Sequence, residues 1–165
     1  MNSGIEETYD LRILRSLRRV IRAVDKYSRK LNTELGLTTP QLLCLDFLSK
    51  SHCQLTQKML AESVNLGAST VNGIVDRLEA KQYLRRNRSS QDRRQVFLEL
   101  TPAGRGVVET APSLLQDRLS TSLGTLPDSE QKTITEALEL VVKLMEVDSI
   151  DASPNLFAYD HVESK

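Results

Sequence analysis

Apolar positions recur at helical spacing through the first part of the chain. Ile13, Leu14, Leu17, Val20, Ile21, Val24, Tyr27 and Leu31 share one face of a single amphipathic helix over residues 9–35. Arg12, Arg15, Arg19, Arg22, Lys26 and Arg29 occupy the opposite face. The stretch GLTTPQLLCLDFL restarts a helix near residue 39, with Thr38 and Gln41 spaced as a capping box and Pro40 in the first turn. LTQKMLAESVN predicts a short helix from Gln57, capped by Thr56, and NLG predicts a tight turn. ASTVNGIVDRLEAKQ is the next helix, about 68–82, with Val71, Ile74, Val75 and Leu78 facing inward.

The period then changes. YLRRN and RQVFLELT alternate as strands, joined by the polar RSSQD, with Val96, Leu98 and Leu100 on one side of the second strand. Thr101 caps a further helix that begins with Pro102 and runs to about Leu123. After TLPDSE a last helix covers about 128–147, with Ile134, Ala137, Leu138, Val141, Leu144 and Met145 as its stripe. The remaining tail has no sustained period and reads as a flexible or docked extension. The order is α-α-α-α-β-β-α-α, a mainly α chain with a small β wing.

Two short helices joined by a tight turn satisfy the helix-turn-helix description, and the hairpin placed directly after them supplies a wing. On the second helix, Ser69, Asn72, Gly73 and Asp76 point away from the apolar face, flanked by Thr70 and Arg77. Hydroxyl, amide and guanidinium groups at a helix N-terminus suit phosphates and base edges in a major groove. Gly73 costs about 1 kcal/mol relative to alanine in mid-helix. It is either a point of close backbone approach to DNA or a position that needs no side chain. Next comes charge. The chain has 22 basic and 22 acidic residues, so its net charge points to no partner. The distribution does: Arg85, Arg86, Arg88, Arg93 and Arg94 fall within ten residues around the hairpin tip, against Asp92 alone. Such a run repels itself unless anions are near. A solvated turn is the plainer alternative, but its place after a recognition helix favours DNA contact.

STVNGIVDRLEAKQYLRRNRSSQDRRQVFLELTPAG resembles the core of the MarR family (multiple antibiotic resistance regulators), and the likeness extends over roughly residues 10–146. The Asp92-Arg93-Arg94 wing, the alternation to Leu100-Thr101 and the VDRLE of the recognition helix carry it. The resemblance implies a winged helix-turn-helix transcription factor whose wing tip enters a minor groove. Asp92 and Arg94 would brace the wing, Arg93 or Arg94 would probe the groove, and Arg77 would touch backbone or wing. Many relatives carry glycine where this chain has Gln82, which leaves the shape of that helix end open.

The resemblance further implies an intertwined homodimer, with 9–35 and 102–147 as the dimerisation region, 36–101 as the DNA-binding lobe and 148–165 as the tail. The residues point the same way, because the apolar stripes outside the lobe exceed what one lobe can cover. The start of the chain, PQLL, APSLLQDR and the IDASP of the tail are similar to a branch that represses compatible-solute genes. That likeness implies osmotic-stress control and a zwitterionic effector such as glycine betaine or ectoine. A quaternary ammonium favours aromatic faces. Tyr27 and Phe47 are the ligand-binding candidates, with core packing as the commoner role for such residues.

Other classes fare worse. His52 and His161 lie far apart, and no phosphate loop, metal-ligand spacing or nucleophile elbow occurs, so neither an enzyme nor a metal or other cofactor is expected. Two cysteines, Cys44 among leucines and Cys53 in a loop, make no disulfide framework, and a thiol-based redox sensor is a lesser alternative. A protein-interaction module on the same scaffold is another. Without a membrane span or signal-peptide core, the expected location is the cytoplasm.

Overall fold

The computed structural model describes residues 8–88 and 95–147. Helix α1 (Tyr9–Leu35) ends at Gly36, whose N–H still donates to Asn32 O at 2.9 Å and whose left-handed φ of 61° turns the chain out of the helix. Helix α2 (Thr39–Lys50) starts with the expected capping box, in which the Thr38 N–H donates to Gln41 Oε1 at 3.0 Å. Strand β1 (Leu55–Thr56) leads straight into α3 (Gln57–Ser63), where Thr56 Oγ1 accepts from the Met59 N–H. Asn65, at φ 51°, turns the chain into α4 (Ala68–Ala80). Asparagine tolerates this left-handed region better than most residues.

Strands β2 (Leu84–Arg88) and β3 (Val96–Leu100) form the wing, with Leu84 opposite Leu100 and Arg88 opposite Val96. The sheet has the order β1-β3-β2, because Leu55 pairs with Leu98 and Thr56 with Phe97. This third strand was not expected; two residues are too few to show an alternating period. The region predicted as one helix from Pro102 to Leu123 is instead α5 (Pro102–Thr110) and α6 (Leu115–Leu123). Pro112 explains the break. It has no N–H to donate and forces Ala111 into extended backbone at ψ 144°. The freed carbonyl of Pro112 is not left bare, since the buried Tyr27 hydroxyl donates to it at 3.0 Å. Helix α7 (Asp128–Leu144) completes the described chain.

The core lies in the winged lobe. Leu31, Leu37, Leu42, Cys44, Leu45, Leu60, Val71, Val75, Leu78 and Leu84 are fully buried there. Gly104 ties α5 to this lobe: a Cβ on it would stand 1.9 Å from Tyr83 O, so only glycine fits. Away from this core burial thins out. Neither α6 nor α7 holds a buried residue, and Leu14, Val20, Ile21 and Leu138 are each more than half exposed.

Candidate nucleic-acid interface

Helix α4 packs Val71, Ile74, Val75 and Leu78 into the core, which turns Ser69, Thr70, Asn72 and Arg77 outward, all exposed. A Cβ at Gly73 would meet nothing within 4 Å, so the protein's own packing does not require glycine there. Arg77 has no ion-pair partner among the described residues, and neither has Arg88, at the end of β2. Asp92, Arg93 and Arg94, the brace and groove probe of the resemblance, lie outside the described residues.

The helix that presents this face ends at Lys81, and Gln82 follows with φ 59°. The Tyr83 N–H then reaches back to Leu78 O at 3.0 Å and the Gln82 N–H to Glu79 O at 2.8 Å. This is the left-handed helix end that glycine usually supplies. Glutamine therefore makes the same turn that glycine would make, at some conformational cost.

The arginine cluster splits in two. Arg85 lies opposite Glu99 and donates to it through Nε at 3.1 Å and Nη2 at 3.0 Å. Asn87, on the same face of the hairpin, donates to the same carboxylate. Arg86 turns to the other face, donates to Asp76 Oδ1 at 2.6 Å, and also pairs with Glu79. Burial works against its charge, but the hydrogen bonds to Asp76 and Glu79 outweigh that and raise its pKa. Both residues brace the root of the wing and are not free cations at its tip.

Gln57, Asp76, Glu79 and Glu99 are thus structural partners of the interface that the sequence reading did not assign. The spacing of Asp76 and Glu79, three residues apart beside an arginine-rich strand, is the signal that could have found them. Gln57 gave no comparable signal.

The two residues proposed for a ligand are placed as follows. Tyr27 is buried, and burial followed by the nearby charges of Asp117 and Asp46 pushes its pKa up to about 12. Phe47 packs on the core. A cavity of about 450 Å³ lies between α2, α5 and α6, lined by Asp46, Lys50, Pro112 and Asp117 among others, and neither aromatic side chain lines it. Lys50 sits between two carboxylates there, 2.7 Å from Asp46 and 3.2 Å from Asp117. Cys44 is buried, which pushes its thiol up to about 12, and Cys53 is exposed.

A helix-turn-helix whose second helix keeps a polar outer face, followed at once by a braced β wing, defines the winged-helix class of DNA-binding lobe. Residues 37–96 match the model of the MarR family. The chain is 30% identical over 116 residues to the HTH-type transcriptional regulator MgrA of Staphylococcus aureus, spanning 70% of this chain and 77% of that one. Among solved structures it is similar to the transcriptional regulator BldR from Sulfolobus solfataricus, at 27% identity and a TM-score of 0.53, covering 83% of this chain and 94% of that one. It shares the fold of MepR in the S. aureus MepR–DNA complex, at 24% identity and a TM-score of 0.58, covering 85% and 99% of the two chains. The chain belongs to the MarR family of winged-helix transcriptional regulators, and it is a regulator, not an enzyme.

Proposed function

We propose that the protein is a repressor that binds a pseudo-palindromic operator as a homodimer. The observation that carries this is the exposed row of Ser69, Thr70, Asn72 and Arg77 on α4, beside a wing whose root is locked to the same helix. Ser69 and Thr70 would hold phosphates at the helix N-terminus, Asn72 would read a base edge, and the Gly73 backbone would approach the groove. Arg88, Arg93 and Arg94 would follow the minor groove, with Asp92 as brace, a reading that rests on the likeness of the wing sequence to the family's.

The uncovered apolar surface supports a division into a dimerisation region, 9–35 with 102–147, and a DNA-binding lobe, 36–101. Residues 148–165 would be an appended tail. No described helix is long and apolar enough to cross a membrane, which agrees with action on DNA in the cytoplasm.

The cavity between α2, α5 and α6 is the place for an effector. Its two carboxylates, Asp46 and Asp117, outnumber the Lys50 ammonium they share, and this local excess of negative charge suits the cationic end of a zwitterion. Glycine betaine or ectoine would fit that chemistry, and control of compatible-solute genes would follow. Tyr27 and Phe47, the aromatic candidates, do not line this cavity.

Selection of genomic fragments by the full-length protein tests the reading. Enrichment of a shared palindrome is the expected result, with binding that weakens steeply as salt rises. Enrichment of no sequence would favour a protein-interaction module on the same scaffold. At constant salt, operator release by glycine betaine or ectoine, and not by sucrose at equal osmolarity, is expected if the cavity senses osmolytes.

A further inference from the structure

Four side chains from three elements close a hydrogen-bonded ring on the proposed DNA face. Arg86 of β2 donates to Asp76 Oδ1 at 2.6 Å and, more weakly, to Gln57 Oε1 at 3.5 Å. Gln57 Nε2 of α3 donates to Asn72 Oδ1 at 3.0 Å, and Asn72 Nδ2 donates to Asp76 Oδ2 at 3.4 Å. The polarity of this ring is not arbitrary. A guanidinium can only donate and an ionised carboxylate can only accept. With Arg86 at one end of the amide pair and Asp76 at the other, only one orientation of the two amides satisfies every contact. The Asn72 carbonyl must face Gln57 and its amino group must face Asp76.

An asparagine amide in a major groove reads adenine by accepting from N6–H and donating to N7, so the order of its two ends matters. Asn72 keeps one N–H and one carbonyl lone pair beyond the ring bonds. Both are held in fixed order on an exposed face of α4. Building on the DNA-binding reading above, we propose that Gln57 and Arg86 are positioning residues that lock the Asn72 amide for adenine, making them determinants of operator specificity. The wing root and the recognition helix are then one unit: a change in the strand alters which base the helix prefers. Arg86 is neutralised by Asp76 and Glu79, so its role is in readout through Asn72 and not in general attraction to phosphate.

The test is selection from a randomised operator library by the full-length protein, three single variants and two double variants. Wild type should select A·T at one symmetry-related pair of positions, and Asn72→Ala should lose that preference, which marks the positions. Gln57→Met and Arg86→Lys should each lower it there by about tenfold. Both should leave other positions and salt dependence close to wild type, and Gln57→Met should leave the thermal midpoint there as well. In an Asn72→Ala background neither should change that position further. Retention of the wild-type preference by Gln57→Met would overturn the proposal, as would a loss at a different position, since Gln57 would then read a base itself. If wild type selects no site at all, the DNA-binding reading fails with it. A selected site at which Asn72→Ala changes no position overturns this inference alone.

Discussion

Gly73 sits on the outward face of α4 with no neighbour that a methyl group would touch. Replacing it with alanine should therefore stabilise the free protein by about 1 kcal/mol, read as a higher thermal midpoint. The same variant should bind the operator more weakly, because the added Cβ would stand between backbone and groove. Unchanged affinity would mean that glycine is simply tolerated there. Gln82 makes the opposite case just beyond the end of that helix. Its φ of 59° costs about 1 kcal/mol that glycine would not incur, partly offset by glycine's looser unfolded chain. Gln82→Gly should raise the unfolding midpoint and leave operator affinity alone; a lower midpoint would contradict the conformation given to this turn. The polar face of α4 was legible from helical periodicity. What engages it was not, because Gln57 is fifteen residues from Asn72 in the chain and no local pattern links them.

Among the elements, the sequence reading failed at the helix drawn through Pro112. Apolar spacing continues across the break, and periodicity alone does not register a missing N–H. The bond from Tyr27 to Pro112 O makes that break part of the fold, joining α1 to the α5–α6 corner. Tyr27→Phe should cost about 1 kcal/mol, the ordinary worth of a part-buried hydrogen bond. It should also change the response to alkali. The Tyr27 pKa lies near 12 in the folded protein against an ordinary value of 10. Below pH 10 both states keep the proton and this group gives no slope. Between pH 10 and 12 only the unfolded chain loses it, so stability falls as pH rises. Urea titrations of wild type and Tyr27→Phe across that window should converge; parallel lines would show that Tyr27 is not sequestered. The two-residue strand β1 was likewise hidden, since Leu55 and Thr56 read only as the approach to a helix.

At the scale of the whole molecule, the winged lobe buries its core while α1, α6 and α7 leave theirs open. Leu14, Ile21, Leu138 and Leu144 lie more than half exposed, a quantity of apolar surface unusual for a soluble monomer. Sedimentation should give a dimer of the 18.5 kDa chain. Leu138→Glu should shift it towards monomer and lower operator affinity together, since each protomer then supplies one recognition helix where two are needed. A monomeric wild type that still binds would refute this coupling.

The most direct measurement is a hydroxyl-radical footprint of the protein on its selected site. Two α4 helices in a two-fold dimer predict two protected half-sites about 10 base pairs apart, with minor-groove protection by a wing at each outer edge. A single protected segment without symmetry, or no protection at a concentration that shifts the fragment, would contradict the account.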